Sequence, residues 1–343
     1  MRIDKFDISK KVLIIAEMSA NHGHDITIAK ETIKAAKDAG ADAFKLQTYT
    51  ADTITIDCDN EYFRLDQGTI WDGRTLYDLY KEAHTPWEWH KELMNYANEL
   101  DLICFSSPFD KTAVDLLESI NVPAYKVASF EITDIPLIEY IASKGKPVIF
   151  STGIATLGEI EDAVRACRSV GNEQIILLKC TSAYPAKIED ANLLTMKNLK
   201  ETFNVEVGLS DHTSGVTVPV VSVALGARVI EKHFILDKSI GGPDVSFSLD
   251  KEEFKSLVDS VRDAEKALGK VDYGLTDKKL KSREFSRSLF VVTDINEGEV
   301  FNEENVRSIR PGYGLSPKYI GTIIGKKAKW DIVKGTPISW DFI

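Results

Sequence analysis

Two lysines stand inside otherwise apolar runs, Lys45 in AFKLQT and Lys126 in AYKVAS. An unpaired ammonium is costly in such a setting, so each calls for an anion. Glu17 or Glu131 would make them structural salt bridges. A phosphate would make them a binding site, with Ser107, Ser129, Ser151 and Ser210 as hydroxyl donors around it. A desolvated lysine can also attack a carbonyl, which leaves a Schiff-base aldolase open. His212 and His233 close two further apolar runs, and their separation is not that of HExxH on one helix. Taken singly, each reads as a hydrogen-bonded structural group. As a pair at neighbouring strand ends they read as ligands of a divalent cation, with positions left for water and substrate. Asp211 adjoins His212 but points away if the run is a strand. Asn21 and His22 either bind substrate or cap the next helix. Arg310, in IRPGYGL, is either a surface residue or a planar donor for a carboxylate or amide oxygen, held on a stiff Pro–Gly turn.

These residues need a frame that brings them to one rim. The short apolar runs are Val12–Met18, Ala43–Thr48, Leu102–Ser107, Ala124–Ser129, Pro147–Thr152, Ile175–Thr181, Val205–Ser210 and Val229–Phe234. They read as strands buried on both faces. Amphipathic stretches such as ITIAKETIKAAKDAG and LGEIEDAVRACRSVG lie between them and end on glycine. Strict alternation predicts a parallel sheet, and this number of units predicts closure into a (β/α)₈ barrel. An open doubly wound sheet is the rival, but no GxGxxG follows the first run. In such a barrel the polar residues at the strand ends face one mouth. The long stretch from Tyr49 to about His90 is expected to carry a helix over that mouth. Its Trp71, Trp87 and Trp89 either form an apolar surface for substrate or pack their own helix. Lys251–Leu268 is expected to be the closing helix, and residues 1–270 the barrel domain. A polar linker over 271–286 follows. A small β-rich domain over 287–343, with short strands, frequent turns and many glycines, ends the chain.

The 343 residues carry a net charge of −11, with 43 % hydrophobic and 28 % charged residues. That excludes a nucleic-acid surface unless a basic face is built locally, and Lys279, Lys281 and Arg283 read as a solvated linker. No run is long and apolar enough to span a bilayer, and the N-terminus does not read as a signal peptide. The four cysteines lack any CxxC spacing and read as reduced structural thiols, which points to the cytoplasm.

The order AEMSANH, KLQTYT, FSSPF, AYKVASFE, STGIAT, KCTSAYP, VGLSDHT, ALGARVIEKHF and GGPD resembles the sialic acid synthase family over essentially the whole chain. The tail, with DINEGEVFNEENVRSIRPGYGL and IGKKAKWDIVKGTPI, resembles that family's antifreeze-protein-like (SAF) domain. Within the family the chain is most similar to the pseudaminic acid synthases, on AEMSANH, QTYT, FSSPFD and WDGRTLYDLYKEAHTPWEWH. Ser182 stands where N-acetylneuraminate synthases commonly have Asn, near the sugar. The resemblance implies metal-dependent condensation of phosphoenolpyruvate with an amino-sugar aldehyde, here 2,4-diacetamido-2,4,6-trideoxy-L-altrose; N-acetylneuraminate or legionaminate synthesis is the rival, and a non-catalytic sugar-binding protein the alternative of another class. It implies phosphoenolpyruvate contacts from Lys45, Ser107, Lys126, Ser129, Ser151 and Ser210. His212 and His233 would hold Mn²⁺ or Mg²⁺. Glu17, Gln47, Tyr184 and Asp244 match positions around the sugar or the metal, and Glu131 a carboxylate near the metal-bound water. Glu17 and Glu131 join the two histidines as the expected catalytic set. Arg310 matches an arginine that a partner's tail inserts over the sugar, which implies a domain-swapped homodimer; a barrel served by its own tail is the rival.

Overall fold

The computed structural model describes residues 1–65 and 72–343. They form two compact units, Met1–Gly269 and Lys270–Ile343. The first unit is built on eight parallel strands closed into a barrel. These are β1 (Leu13–Glu17), β2 (Ala43–Thr48), β3 (Ile103–Pro108), β4 (Tyr125–Val127), β5 (Val148–Ser151), β6 (Ile175–Cys180), β7 (Glu206–Asp211) and β8 (Val229–His233). Each expected run coincides with one strand, shortened by a residue or more at most ends, while β3 and β7 run one residue further, to Pro108 and Asp211.

Alternation along each strand sorts the side chains. Ile14, Phe44, Cys104, Tyr125, Phe150, Leu177 and Ile230 face outward into the layer shared with the helices. Leu13, Ile15, Ala43, Phe105, Ile149, Ile176, Leu178 and Val229 face the barrel axis and fill its lower half. A short N-terminal hairpin, Arg2–Ile3 with Phe6–Asp7, was not anticipated. Its Ile3 and neighbouring Ile8 are fully buried and join that lower cluster, so the hairpin plugs the N-terminal end. Gly208 is required inside the barrel, because a Cβ there would lie 2.3 Å from the Val229 carbonyl oxygen.

The helices begin and end as their sequences dictate. Asp25 caps Ile26–Asp38 by accepting from the Thr27 amide. Thr156 with Glu159, and Asp250 with Glu253, form reciprocal capping boxes on Leu157–Ser169 and Lys251–Leu268. The connection after β2 carries Ala51–Ile54, Leu76–Ala83 and a 3₁₀ turn at Trp87–Trp89. Among the described residues no helix is long and apolar enough to cross a membrane.

The second unit opens with an exposed helix, Asp277–Arg283, inside the stretch expected as a plain linker, and its basic residues are solvated. Strands Ser288–Val291 and Val306–Ile309 pair antiparallel, and isolated bridges such as Ile295 with Ile332 extend the β structure. Leu289, Val291, Phe301, Val306 and Ile338 form its core.

Candidate active site

The same alternation that fills the lower barrel with aliphatic side chains puts polar ones on the axis above them. Glu17, Lys45, Gln47, Ser107, Lys126, Ser151, Cys180, Ser210, Glu231 and His233 continue the inward rows of their strands, and His212 continues that of β7 one residue on. They surround or underlie a cavity of about 650 Å³ at the C-terminal ends of the strands. Lys45, Gln47, Lys126, Ser129, Glu131, Ser151, Tyr184, Ser210, His212, His233 and Asp244 border it. So does Ser182. Glu17 and Ser107 lie beneath its wall, each 1 % exposed.

At the floor lies a buried quartet of charges. Lys45 Nζ is 2.5 Å from Glu17 Oε2, and Lys126 Nζ is 3.0 Å from Glu231 Oε1. Glu231 Oε1 is also 3.8 Å from Lys45 Nζ. Burial pulls both ammonium groups down, but the two carboxylates outweigh it at Lys45 and hold that lysine above its ordinary value. At Lys126 burial wins and the value falls, although Glu231 opposes it. The salt-bridge partner expected from Glu131 is therefore Glu231, a residue the sequence reading passed over. Its signal was there: Glu231 precedes His233 by two positions and so shares its face. Hydroxyls complete the floor. Lys45 donates to Ser107 Oγ at 3.3 Å, and Ser210 donates to Glu231 at 3.3 Å. Ser129 Oγ accepts the Gly153 amide at 3.2 Å, while the buried Ser151 Oγ has no hydrogen-bond partner among the described residues. Two ammonium groups, each already beside a carboxylate, and the Ser151 hydroxyl at the cavity floor are groups that could hold a phosphate.

One wall carries the histidines. The rings of His212 and His233 are 5.3 Å apart between centroids. His212 Nδ1 lies 3.0 Å from the Thr181 carbonyl oxygen, and donation to it leaves Nε2 with the lone pair. His233 Nδ1 is buried without a hydrogen bond to any of the described residues, and Asp244 Oδ2 lies 4.0 Å from it. Burial and the surrounding positive charges hold His233 well below its usual range, so it is a neutral imidazole. Among the described residues no three His, Cys, Asp or Glu side chains already converge on a metal position. The donor set suits a divalent cation that keeps water or substrate in its remaining positions, as an open catalytic site requires. An orphaned buried imidazole nitrogen beside a second imidazole and a carboxylate fits such an ion.

Behind this wall, Lys232 is fully buried and points to the other face of β8. It lies 2.5 Å from Asp211 Oδ2 and also donates to the Thr213 carbonyl. Asp211 in turn accepts from the Thr213 amide at 3.0 Å and hydroxyl at 2.8 Å. His212 is thus bracketed by residues clamped to the neighbour of His233. Asp211 does point away from the cavity, as strand alternation requires. Lys232→Met is expected to lower stability by about 3–5 kcal/mol by stranding the Asp211 carboxylate. Urea unfolding checks this, and an unchanged midpoint would show the clamp to be dispensable.

Other expectations are corrected. Cys180 is free and buried, as expected, but its Sγ also borders the cavity 3.9 Å from His212 Nδ1. Burial would raise it, but the imidazole overcomes that and brings it down to about 7. Asn21 neither caps a helix nor faces the cavity. It is fully buried and donates to the Phe234 carbonyl at 3.0 Å and to Ser248 at 2.8 Å. His22 packs edge-on against Trp89 with centroids 5.7 Å apart. Trp87 donates to the Tyr49 carbonyl at 3.1 Å, and neither Trp87 nor Trp89 borders the cavity. Trp71 lies outside the described residues. Gln47 spends its amide nitrogen on Glu17 at 3.0 Å and Ser19 at 2.9 Å. Tyr184 leans on His212, with centroids 4.5 Å apart.

Arg310 belongs to the second unit and is exposed. The loop after it is stiff. Ser288 donates to the Pro311 carbonyl at 2.7 Å and accepts the Gly314 amide at 2.9 Å. A Cβ on Gly314 would lie 2.2 Å from the Leu289 carbonyl oxygen, so only glycine fits there.

The profile of the NeuB family matches residues 32–273, and that of the SAF domain residues 286–343. Over 335 residues the chain is 52 % identical to the pseudaminic acid synthase of Campylobacter jejuni subsp. jejuni serotype O:23/36 (strain 81-176), covering 98 % of this chain and 97 % of that one. It is 39 % identical over 340 residues to the N,N'-diacetyllegionaminic acid synthase of Legionella pneumophila subsp. pneumophila (strain Philadelphia 1), covering 98 % and 95 % of the two chains. Among solved structures it resembles the N-acetylneuraminic acid synthetase of Leptospira borgpetersenii serovar Hardjo-bovis in complex with citrate. That likeness has a TM-score of 0.70 and 32 % identity, over 79 % of this chain and 90 % of the other.

Proposed function

The chain belongs to the NeuB family, and we infer from this that it is a transferase performing the pseudaminic acid synthase reaction. It joins phosphoenolpyruvate to 2,4-diacetamido-2,4,6-trideoxy-L-altrose, giving a nine-carbon 2-keto acid and phosphate. The observation that carries this reading is the 52 % identity to a pseudaminic acid synthase over nearly the whole chain, against 39 % to a legionaminic acid synthase. The cavity supports it with a floor of two lysines, each beside a carboxylate, and several hydroxyls.

Lys45 and Lys126, with Ser129, Ser151 and Ser210, hold the phosphate and orient the enol. Tyr184 and Asp244 border the space above, where the open-chain sugar sits. Carbon 3 of the enol forms a bond to the aldehyde carbon, and the aldehyde oxygen takes up a proton. Water adds to carbon 2, with Glu131 accepting its proton. The carbon–oxygen bond to phosphate then breaks, and the lysines receive the departing charge. His212 and His233, with Asp244 beside them, would hold Mn²⁺ or Mg²⁺. When bound, the cation supplies Lewis acidity at the aldehyde oxygen.

We also propose that two copies pair, with Arg310 of one serving the barrel of the other. Arg310 is an exposed guanidinium on a fixed loop. The stretch before the tail exposes Val271 at 87 % and Tyr273 at 92 %, apolar surface that a second copy would cover. A cytoplasmic location accords with phosphoenolpyruvate as substrate and with cysteines that are all free.

The deciding experiment is phosphate release from phosphoenolpyruvate with Mn²⁺, comparing the diacetamido-trideoxy-altrose with N-acetylmannosamine, each with and without a chelator. Release with the altrose alone, abolished by chelation, is expected. Release with N-acetylmannosamine alone would overturn the substrate. Release that survives chelation would overturn the metal and point to Lys126 as a Schiff-base lysine, which borohydride would trap.

A further inference from the structure

The cavity has two chemically opposite sides. Its floor is the charged and hydroxyl-bearing rim of the strands. Much of the cavity's aliphatic lining comes from one connection, the one after β2. Its helix Leu76–Ala83 turns Leu76, Leu79, Tyr80 and Ala83 to the cavity, at i, i+3, i+4 and i+7. Asp78, Lys81 and Glu82 on the other side of the helix are exposed. Ile54 and Leu65 of the same connection border the cavity as well.

These aliphatic side chains are not ordinary core. Among the described residues, none of Ile54, Leu65, Leu76 or Leu79 joins a hydrophobic cluster of the barrel. An eight-residue helix has no independent stability, and this one is held by polar contacts and by Tyr80 edge-on against Tyr49, centroids 5.7 Å apart. Thr75 caps it through the Asp78 amide at 3.1 Å, and Arg74 pairs with Glu82 at 2.7 Å. An apolar stripe held over a cavity instead of a core buries its surface against whatever fills that cavity.

We propose that Leu76 and Leu79 are specificity-determining residues that receive the apolar end of the sugar, the 6-deoxy methyl group and an acetamido methyl. This rests on the reaction assigned above and adds the part of the chain that chooses among sugars. A sugar with a hydroxyl in place of the methyl hydrogen would bring to these leucines a polar group for which they offer no partner. An apolar wall rejects such an analogue by up to about 10²-fold and no more, so the selection is a graded preference.

The test uses the full-length protein as Leu79→Asn and, because Leu79 is nearly buried, the more exposed Leu76→Gln as a second variant. For each, kcat/KM is measured with 2,4-diacetamido-2,4,6-trideoxy-L-altrose and with N-acetylmannosamine, beside KM for phosphoenolpyruvate and a thermal melt. Where turnover of N-acetylmannosamine is below detection, its inhibition constant against the altrose replaces it. The preference for the altrose is expected to fall about tenfold or more, with KM for phosphoenolpyruvate within about twofold of wild type, and Leu79→Met is expected to retain the preference. An unchanged ratio in either folded variant, or an equal loss with both sugars, would overturn the proposal. Wild-type protein that fails to use the altrose would instead overturn the reaction assigned above, so the two failures are distinct.

Discussion

Lys126→Met is expected to lower kcat/KM for phosphoenolpyruvate by about 10²–10³-fold, the usual cost of removing one preorganised electrostatic contact to a reacting group. Methionine keeps the length and packing of the stem but removes the charge. The loss is compounded by what remains. Glu231 Oε1 is 3.0 Å from the ammonium in the native site, and in the variant only the more distant Lys45, at 3.8 Å, balances it. An arriving phosphate then meets a carboxylate at the cavity floor. Steady-state phosphate release, with circular dichroism to show that the barrel is intact, is the measurement. A loss smaller than about tenfold would remove Lys126 from the phosphate site, since a charge-assisted contact cannot be worth so little in a buried setting.

Glu131→Gln is expected to slow a single turnover by about 10²-fold or more, the range for loss of a general base. It is also expected to change the pH profile. Glu131 ends the 3₁₀ turn Ser129–Glu131 that follows β4, borders the cavity, and has one carboxyl oxygen buried without a partner. Burial pushes the group up to about 7, with only minor opposition from a backbone hydrogen bond and Lys126. A base acts in its ionised form. The wild-type kcat/KM is therefore expected to rise as pH increases through about 7 and to level off above it. In Glu131→Gln that acid limb disappears and the residual rate is flat. A single-turnover rate near wild type, or a limb that persists in the variant, would assign the proton transfer to another group.

The sequence carried much of this site because the two-residue period of a strand survives in a barrel. Lys45 and Gln47 share a face by counting alone, and so do Glu231 and His233. Where expectation failed, the cause was a contact between segments far apart in the chain. Glu17 and Glu131 were the expected salt-bridge partners of the two lysines; Glu17 does pair with Lys45, but Lys126 pairs with Glu231, not Glu131. Cys180 looked only structural because nothing nearby in the chain marks it, yet closing the sheet sets it in register with Ser210 and near His212. Trp87 and Trp89 were candidates for the sugar surface on composition. The smaller Leu76 and Leu79 border the cavity instead, because the helical repeat of Leu76–Ala83 turns them inward.

By itself the sequence determined the barrel, the tail domain and which residues face the axis, since hydrophobic period and the order of elements are local properties of the chain. Only the tertiary structure decided which charge neutralises which. Lys126 and Glu231 are 105 residues apart in the chain, and Lys45 and Ser107 are 62 apart. Their meeting depends on how the closed sheet staggers its strands. No run of residues encodes that stagger, because it follows from packing the whole inward-facing layer at once.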